Sequence, residues 1–259
     1  MDTVMDIVME KEKKYKLTDE RITVDGRKLY RIEAIKSFLD IEIGDRGGFV
    51  EHEGNLSHEG DCWIYGNAMV YGNAKVYNDA LVYNNAVIKD SAKVYDMAEI
   101  YDDAVIYDNA EVYGEASVRD KAKIYDNAKI YDTASLFGRA QVYGDAEVYD
   151  DASVFNWAEV HGRAQVFGNA QVFESASIHD KAKVFDDTNV HGRSEVYGSA
   201  RIYDTAEIHG DAKIFGRAKV YGEIKISIDQ WGDGEYFVIY DSKGRIVDKS
   251  DGFQKNIKS

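Results

Sequence analysis

Proline is absent from all 259 residues. A proline removes a backbone donor, so a chain with none can run as paired sheet from end to end. There is one cysteine, Cys62. No intrachain disulfide can form, and secretion gains no support. No apolar run approaches the roughly 20 residues that span a bilayer, and no signal peptide is legible. Positive charge is scarce as well: 32 Lys and Arg stand against 47 Asp and Glu, a net charge of −15. That balance argues against general affinity for nucleic acid or an anionic membrane. The expectation is a cytoplasmic protein with no membrane contact and no direct nucleic-acid contact.

What the chain does contain is repetition. From Ile64 to Val220 every sixth residue is Val or Ile, Leu136 excepted, which gives 27 consecutive hexads without insertion or deletion. A representative hexad is Ala74-Lys75-Val76-Tyr77-Asn78-Asp79. Its first four residues alternate small-inward, polar-outward, branched-inward and aromatic-outward, which is a short strand with one dry face. The next two turn a corner. The first corner residue is Gly, Asn or Asp in 26 of 27 hexads, with Glu174 the exception. These three residue types tolerate positive φ. A unit this short cannot close a sheet by itself, but it can stack on the copy one coil later.

Two hexads per coil would make a flat sandwich, and four a square with a wide lumen. Ala fills its inward position in 24 of 26 hexads from Ala68 to Ala218, Thr188 and Ser194 being the others. Small Ala beside a branched neighbour suits a narrow triangular prism packed without voids. On these residues the repeat resembles the hexapeptide repeat of the left-handed parallel β-helix proteins, best known among acyltransferases. The resemblance implies eighteen residues per coil and left-handed winding, opposite to the hand that the general crossover rule favours. The expected fold is therefore all-β: a single-stranded left-handed parallel β-helix of about nine coils with small β caps. Residues 1–49 read as an N-terminal arm and hairpin cap, 50–223 as the helix, and 224–259 as a C-terminal β cap.

The flanks carry fewer signals. Residues 1–12 read as a short amphipathic helix or an arm, and Lys14 to Ile35 as a hairpin around Asp25-Gly26. Val50, Leu56 and Cys62, six apart, continue the Ala register backwards. The lead-in Gly47-Gly48-Phe49-Val50, Leu56-Ser57 and Gly60-Asp61-Cys62-Trp63-Ile64-Tyr65 is similar to that of uncharacterised bacterial and phage-borne hexapeptide-repeat proteins labelled transferases. A phage or prophage origin is among the expectations. Beyond Ile228, Tyr236–Tyr240 and Arg245–Val247 read as a hairpin around Asp241–Gly244.

Eighteen residues per coil define three outward columns. One runs from Tyr65 to His209 and includes Phe137, Phe155, Phe173 and His191. A second runs from Tyr71 to Phe215 and includes His161 and His179. The third, Tyr77 to Tyr221, is aromatic throughout. Stacked rings bind one coil to the next. Phe137, Phe155 and Phe173, with Trp157 at the neighbouring corner, read as an interface.

Chemistry is harder to find. The resemblance to acyltransferases implies a histidine base and a coenzyme A groove between subunits, with His161 and His191 the catalytic candidates. The transferases of this superfamily carry a loop that interrupts the coils, and this chain has none. No histidine spacing implies zinc; His52 and His58 are six apart, as the period alone would place them. Stacked corner aspartates such as Asp90, Asp108 and Asp126 read as a solvated acidic edge rather than a calcium site. No cofactor and no metal are expected. The favoured function is a non-enzymatic binding or scaffold rod that meets a protein partner and self-associates as a dimer or trimer. The alternatives are a hexapeptide-type acyltransferase using acetyl-coenzyme A, and a phage-encoded acidic inhibitor of a host nucleic-acid-binding protein.

Overall fold

Residues 12–227 are described in full in the computed structural model, and beyond them the backbone of the strands Gln230–Trp231, Glu235–Tyr240 and Ile246–Lys249. The expectations for residues 1–11, for Asp241–Gly244 and for the last residues lie outside this range.

The hexads form a parallel β-solenoid of about ten turns with three sheets, one per side of a triangular prism. Up to the last coil each strand is a residue pair that pairs with the strand eighteen residues on: Lys75–Val76 with Lys93–Val94, and so through the coils. Val76 opposite Val94 is the pairing that three hexads per coil require. The first face carries Trp63–Ile64 and its successors, the second Met69–Val70, and the third Lys75–Val76. The inward Ala and Val, Ile or Leu residues are buried along the whole axis, and Thr188 and Ser194 are buried with them. Those two hydroxyls donate back to the carbonyls of Phe185 and His191, which satisfies them inside the core.

Every one of the 27 first corner positions, Gly66 to Gly222, has positive φ, between 54° and 78°. The corner chemistry read from Gly, Asn and Asp is therefore a backbone requirement. The aspartates do a second job. At ten corners an Asp Oδ2 accepts the N–H of the corner residue one coil later, as Asp120 does from Gly138 at 2.8 Å and Asp126 from Gly144 at 3.0 Å. The acidic edge thus also ties one coil to the next. Glu174 adopts φ 58° without that bond, because its longer side chain leans toward His191 instead. Glu174→Asp should raise stability by about 1 kcal/mol, through a better-tolerated φ and a carboxylate reaching the Gly192 N–H. A melting temperature no higher than wild type would refute that account.

The N-terminal end is closed by an antiparallel cap of β1 (Tyr15–Val24), β2 (Arg27–Ala34) and β3 (Arg46–Val50). The hairpin turns at Asp25-Gly26, both at positive φ, as the sequence implies. β3 then joins the second face in parallel, Val50 opposite Val70. Leu56 likewise bridges Val76. Val50 and Leu56 therefore occupy the Val/Ile register, and only Cys62 continues the Ala register. The six-residue spacing misled because two extra residues enter between Leu56 and Cys62. They fit because the first coil has no coil before it to match, and the cap supplies its partners. The Asn55 amide donates to the Gly72 and Ala74 carbonyls, where an earlier strand would otherwise pair. Buried Lys14 donates to the carbonyls of Gly60 and Cys62, each at 2.8 Å. Tyr15 donates to Leu56 O at 2.8 Å and packs edge-on against buried Trp63. Open strand edges and open core are thus both covered. At the far end Glu235–Tyr240 pairs in parallel with Lys219–Gly222 and antiparallel with Ile246–Lys249.

Candidate functional site

The outward rings form continuous ladders. On the third face they stack from Tyr77 to Tyr221 with centroids 4.8–5.1 Å apart. Face-to-face stacking occupies the ring faces, so only edges and hydroxyls meet solvent. On the first face Phe137, Phe155 and Phe173 stack at 4.7 and 4.9 Å, and the Arg119 guanidinium covers the open end of Phe137 at 4.7 Å. Beside them run Ser135, Ser153 and Gln171, so between Arg119 and His191 the strand positions of this face carry no ionisable side chain, and Arg139 and Glu174 stand at its corner. Trp157 stands outside the ladder, at the edge between the first and second faces, and is 60% exposed.

The two histidine candidates lie on different faces and do not converge. His161, on the second face, is sandwiched between Tyr143 at 4.7 Å and His179 at 4.9 Å. Burial lowers its pKa, and His179 adds to the shift. The proton is thus taken up by the unfolded chain, near pH 6.5, before the folded one. Its contribution to stability is present above pH 6.5 and is lost as pH falls toward the lower folded value. His161→Phe should flatten the fall in melting temperature between pH 7.5 and 5; an unchanged pH profile would show that His161 does not control it.

His191, on the first face, lies between Phe173 at 4.6 Å and His209 at 5.4 Å. Its Nε2 is 3.4 Å from Glu207 Oε1, and its Nδ1 is 3.8 Å from Glu174 Oε2. Glu207 also holds Lys225, whose ammonium keeps the carboxyl below its usual range. Sequence reading missed these carboxylates. For Glu207 the signal was an offset of sixteen, which also joins Tyr95 to Glu111 and Tyr143 to Glu159.

His52 and His58 belong to the cap, not to the repeat. His52 caps the short 3-10 turn Glu53–Asn55, and His58 stacks on Tyr15 at 4.3 Å. Burial pushes the Cys62 thiol pKa up despite Lys14 Nζ at 3.4 Å, as suits an unreactive buried thiol. Among the described residues no three His, Cys, Asp or Glu gather as a metal site. The main concave stretches follow the prism edges and are lined by corner residues. One holds Asp96, Met97 and Gly114, another Lys121, Arg139 and Trp157, and a third Gly162, Arg163 and Lys181. None of the three includes His161 or His191.

A three-sided parallel β-solenoid with laddered outer faces is the class of protein that this architecture defines. Residues 64–76 match a family model described as the YdcK Beta solenoid repeat, so this stretch is similar to that repeat. No curated protein matches the chain.

Proposed function

We propose that the protein is a non-enzymatic binding or scaffold rod acting through protein–protein contacts. The observation that carries this is the strip of the first face at Phe137, Phe155 and Phe173, whose strand positions are uncharged in a chain of net charge −15 and which is bordered by exposed Trp157. Such a strip favours contact over solvation. The six-residue repeat, three to a coil, further supports membership of the hexapeptide-repeat superfamily, with self-association as dimer or trimer. Light scattering should report an oligomer, and Phe155→Ser with Phe173→Ser should shift it toward monomer. A wild-type monomer at high concentration would end the self-association reading.

A hexapeptide-type acyltransferase is the second reading, favoured by the carboxylates flanking His191. Acyl transfer needs a base held against a bound thioester. Titration with acetyl-coenzyme A should show no saturable binding and no rise in melting temperature. Micromolar binding lost on His191→Ala would favour the enzyme.

A further inference from the structure

Of the three faces, only the first has uncharged strand positions through five successive coils: Ser117, Ser135, Ser153, Gln171 and Asn189. The third face carries Lys75, Lys93, Glu111, Lys129 and Glu147 at the same positions, and the second carries Lys123, Glu159 and Glu195. One end of the first face is already occupied. Phe38 of the cap packs edge-on against Trp63 at 5.4 Å, and Asp40 accepts the Tyr65 hydroxyl at 2.9 Å. A flat partner can therefore lie along the later coils of this face but not over Trp63. At the other end Lys225–Ile226 is the last strand of the face among the described residues.

We infer that the occupant is a second copy of the chain, first face on first face with the rods antiparallel, and a two-fold axis crossing them between the Phe155 and Phe173 coils. The inference rests on the self-association reading and gives it an arrangement. Orientation follows from which columns meet. A two-fold axis along the rods would make them parallel and reverse the face, laying the Phe column on the Ser and Gln column. An axis across the rods keeps each column on its own kind, so Phe meets Phe, and apolar edges leave water together. Register follows from shape and charge. With the axis between the Phe137 and Phe155 coils, the partner's Lys225 lands at Trp63, where Phe38 already stands. With the axis on the Phe155 coil, Lys121 faces the partner's Arg193, Asp103 the partner's Asp211, and Glu99 the partner's Glu207. Half a coil further on, Lys121 faces the partner's Asp211, and Glu99 faces the partner's Lys225. Arg139 then faces the partner's Arg193, and within each chain Arg193 has Asp211 at 2.9 Å to offset that repulsion. Like charges set against each other cost enough to decide between such registers. Trp157, 60% exposed in the single chain, lies beside the axis over the partner's Ser175. The overlap runs from the Glu99 coil to the Lys225 coil, about 38 Å at the usual strand spacing and about 15 Å across. Its projected area of about 600 Å² per copy understates a ridged surface, which approaches the roughly 800 Å² per partner of a stable interface.

The test uses the full chain. Ser135 and Asn189 are three coils apart in one chain, about 14 Å, yet they face each other across this interface. Ser135→Cys with Asn189→Cys is treated with a short bismaleimide and run on a denaturing gel. Cys62 is buried and does not compete. The double variant should run mostly as covalent dimer, and each single variant as monomer. Light scattering of the untreated wild type should give the mass of two chains. Asp211→Lys should raise the dimer dissociation constant at least tenfold, and adding Lys121→Asp should restore it, with the melting temperature of both variants near wild type. The arrangement is overturned by a trimer, by a double variant that stays monomeric on the gel while the oligomer persists in solution, or by Asn189→Cys alone crosslinking as well as the pair. Each of those results leaves the Phe strip standing as an interface. A wild-type monomer at high concentration would remove both readings.

Discussion

Ala128→Leu is expected to lower the melting temperature by several degrees, with Lys129→Ala next to it nearly silent. Ala128 is fully buried on the third face, in a column where Ala110 and Ala146 occupy the coils before and after. Its carbonyl accepts the Glu111 N–H at 3.0 Å, and its N–H reaches Tyr125 O at 3.3 Å. The backbone is thus pinned, and three added carbon atoms have to displace neighbouring side chains. Overpacking of a filled core costs about 1–3 kcal/mol. A prism offers less relief than a globular core, because neighbouring coils hold their own inward residues in the same register. Lys129 points outward and is exposed, where substitutions change stability by about 0.5 kcal/mol or less. Equal melting temperatures for the two variants would contradict the inward register of the alanines.

The body of this fold was legible because one short unit carries both of its instructions. Alternation fixes which residue points inward, and the Gly, Asn or Asp after each aromatic fixes where the strand ends. Neither instruction depends on the rest of the chain, so Val76 opposite Val94 could be anticipated from spacing alone. The first coil was misread for the opposite reason. Nothing local distinguishes Val50 and Leu56 as residues of the Val register; that depends on β3 and Asn55 standing in for a missing coil. The corner aspartates illustrate a third case. Their tolerance of positive φ is a local property and was read correctly. Their bond to the next corner N–H is a property of the stack, visible only once the coils are superposed.

The candidate site divides in the same way. The Phe strip and Trp157 follow from the period, since outward positions repeat every eighteen residues. The carboxylates at His191 do not, because Glu174 is itself a departure from the corner pattern and Glu207 reaches back across a coil.

The largest loss of stability is expected from Gly48→Ala, at the seam between cap and solenoid. Gly48 lies in β3, which is antiparallel to β2 on one side and parallel to Met69–Val70 on the other. A methyl group there would meet the Ala68 carbonyl oxygen and Ile64 Cγ2, each at 2.4 Å. That carbonyl accepts the Phe49 N–H at 2.9 Å, one of the bonds that hold β3 to the first coil. Backbone cannot yield as a flexible side chain can, so β3 must move away and take with it the next bond, Glu51 N–H to Val70 O at 3.2 Å. The loss should reach about 3 kcal/mol or more, an overpacking cost joined to broken ladder bonds. It should be local first: amide exchange at Leu29, Ile32 and Phe49 should accelerate before exchange in the middle coils. With the cap loosened, the first strand edges and Trp63 open to solvent, and aggregation should follow. Gly26→Asn is the matching control, because the added atoms meet open space and asparagine accepts the positive φ of that turn. It should leave both stability and exchange nearly unchanged. A Gly48→Ala protein with wild-type melting temperature and wild-type cap exchange would show that β3 does not seal the rod.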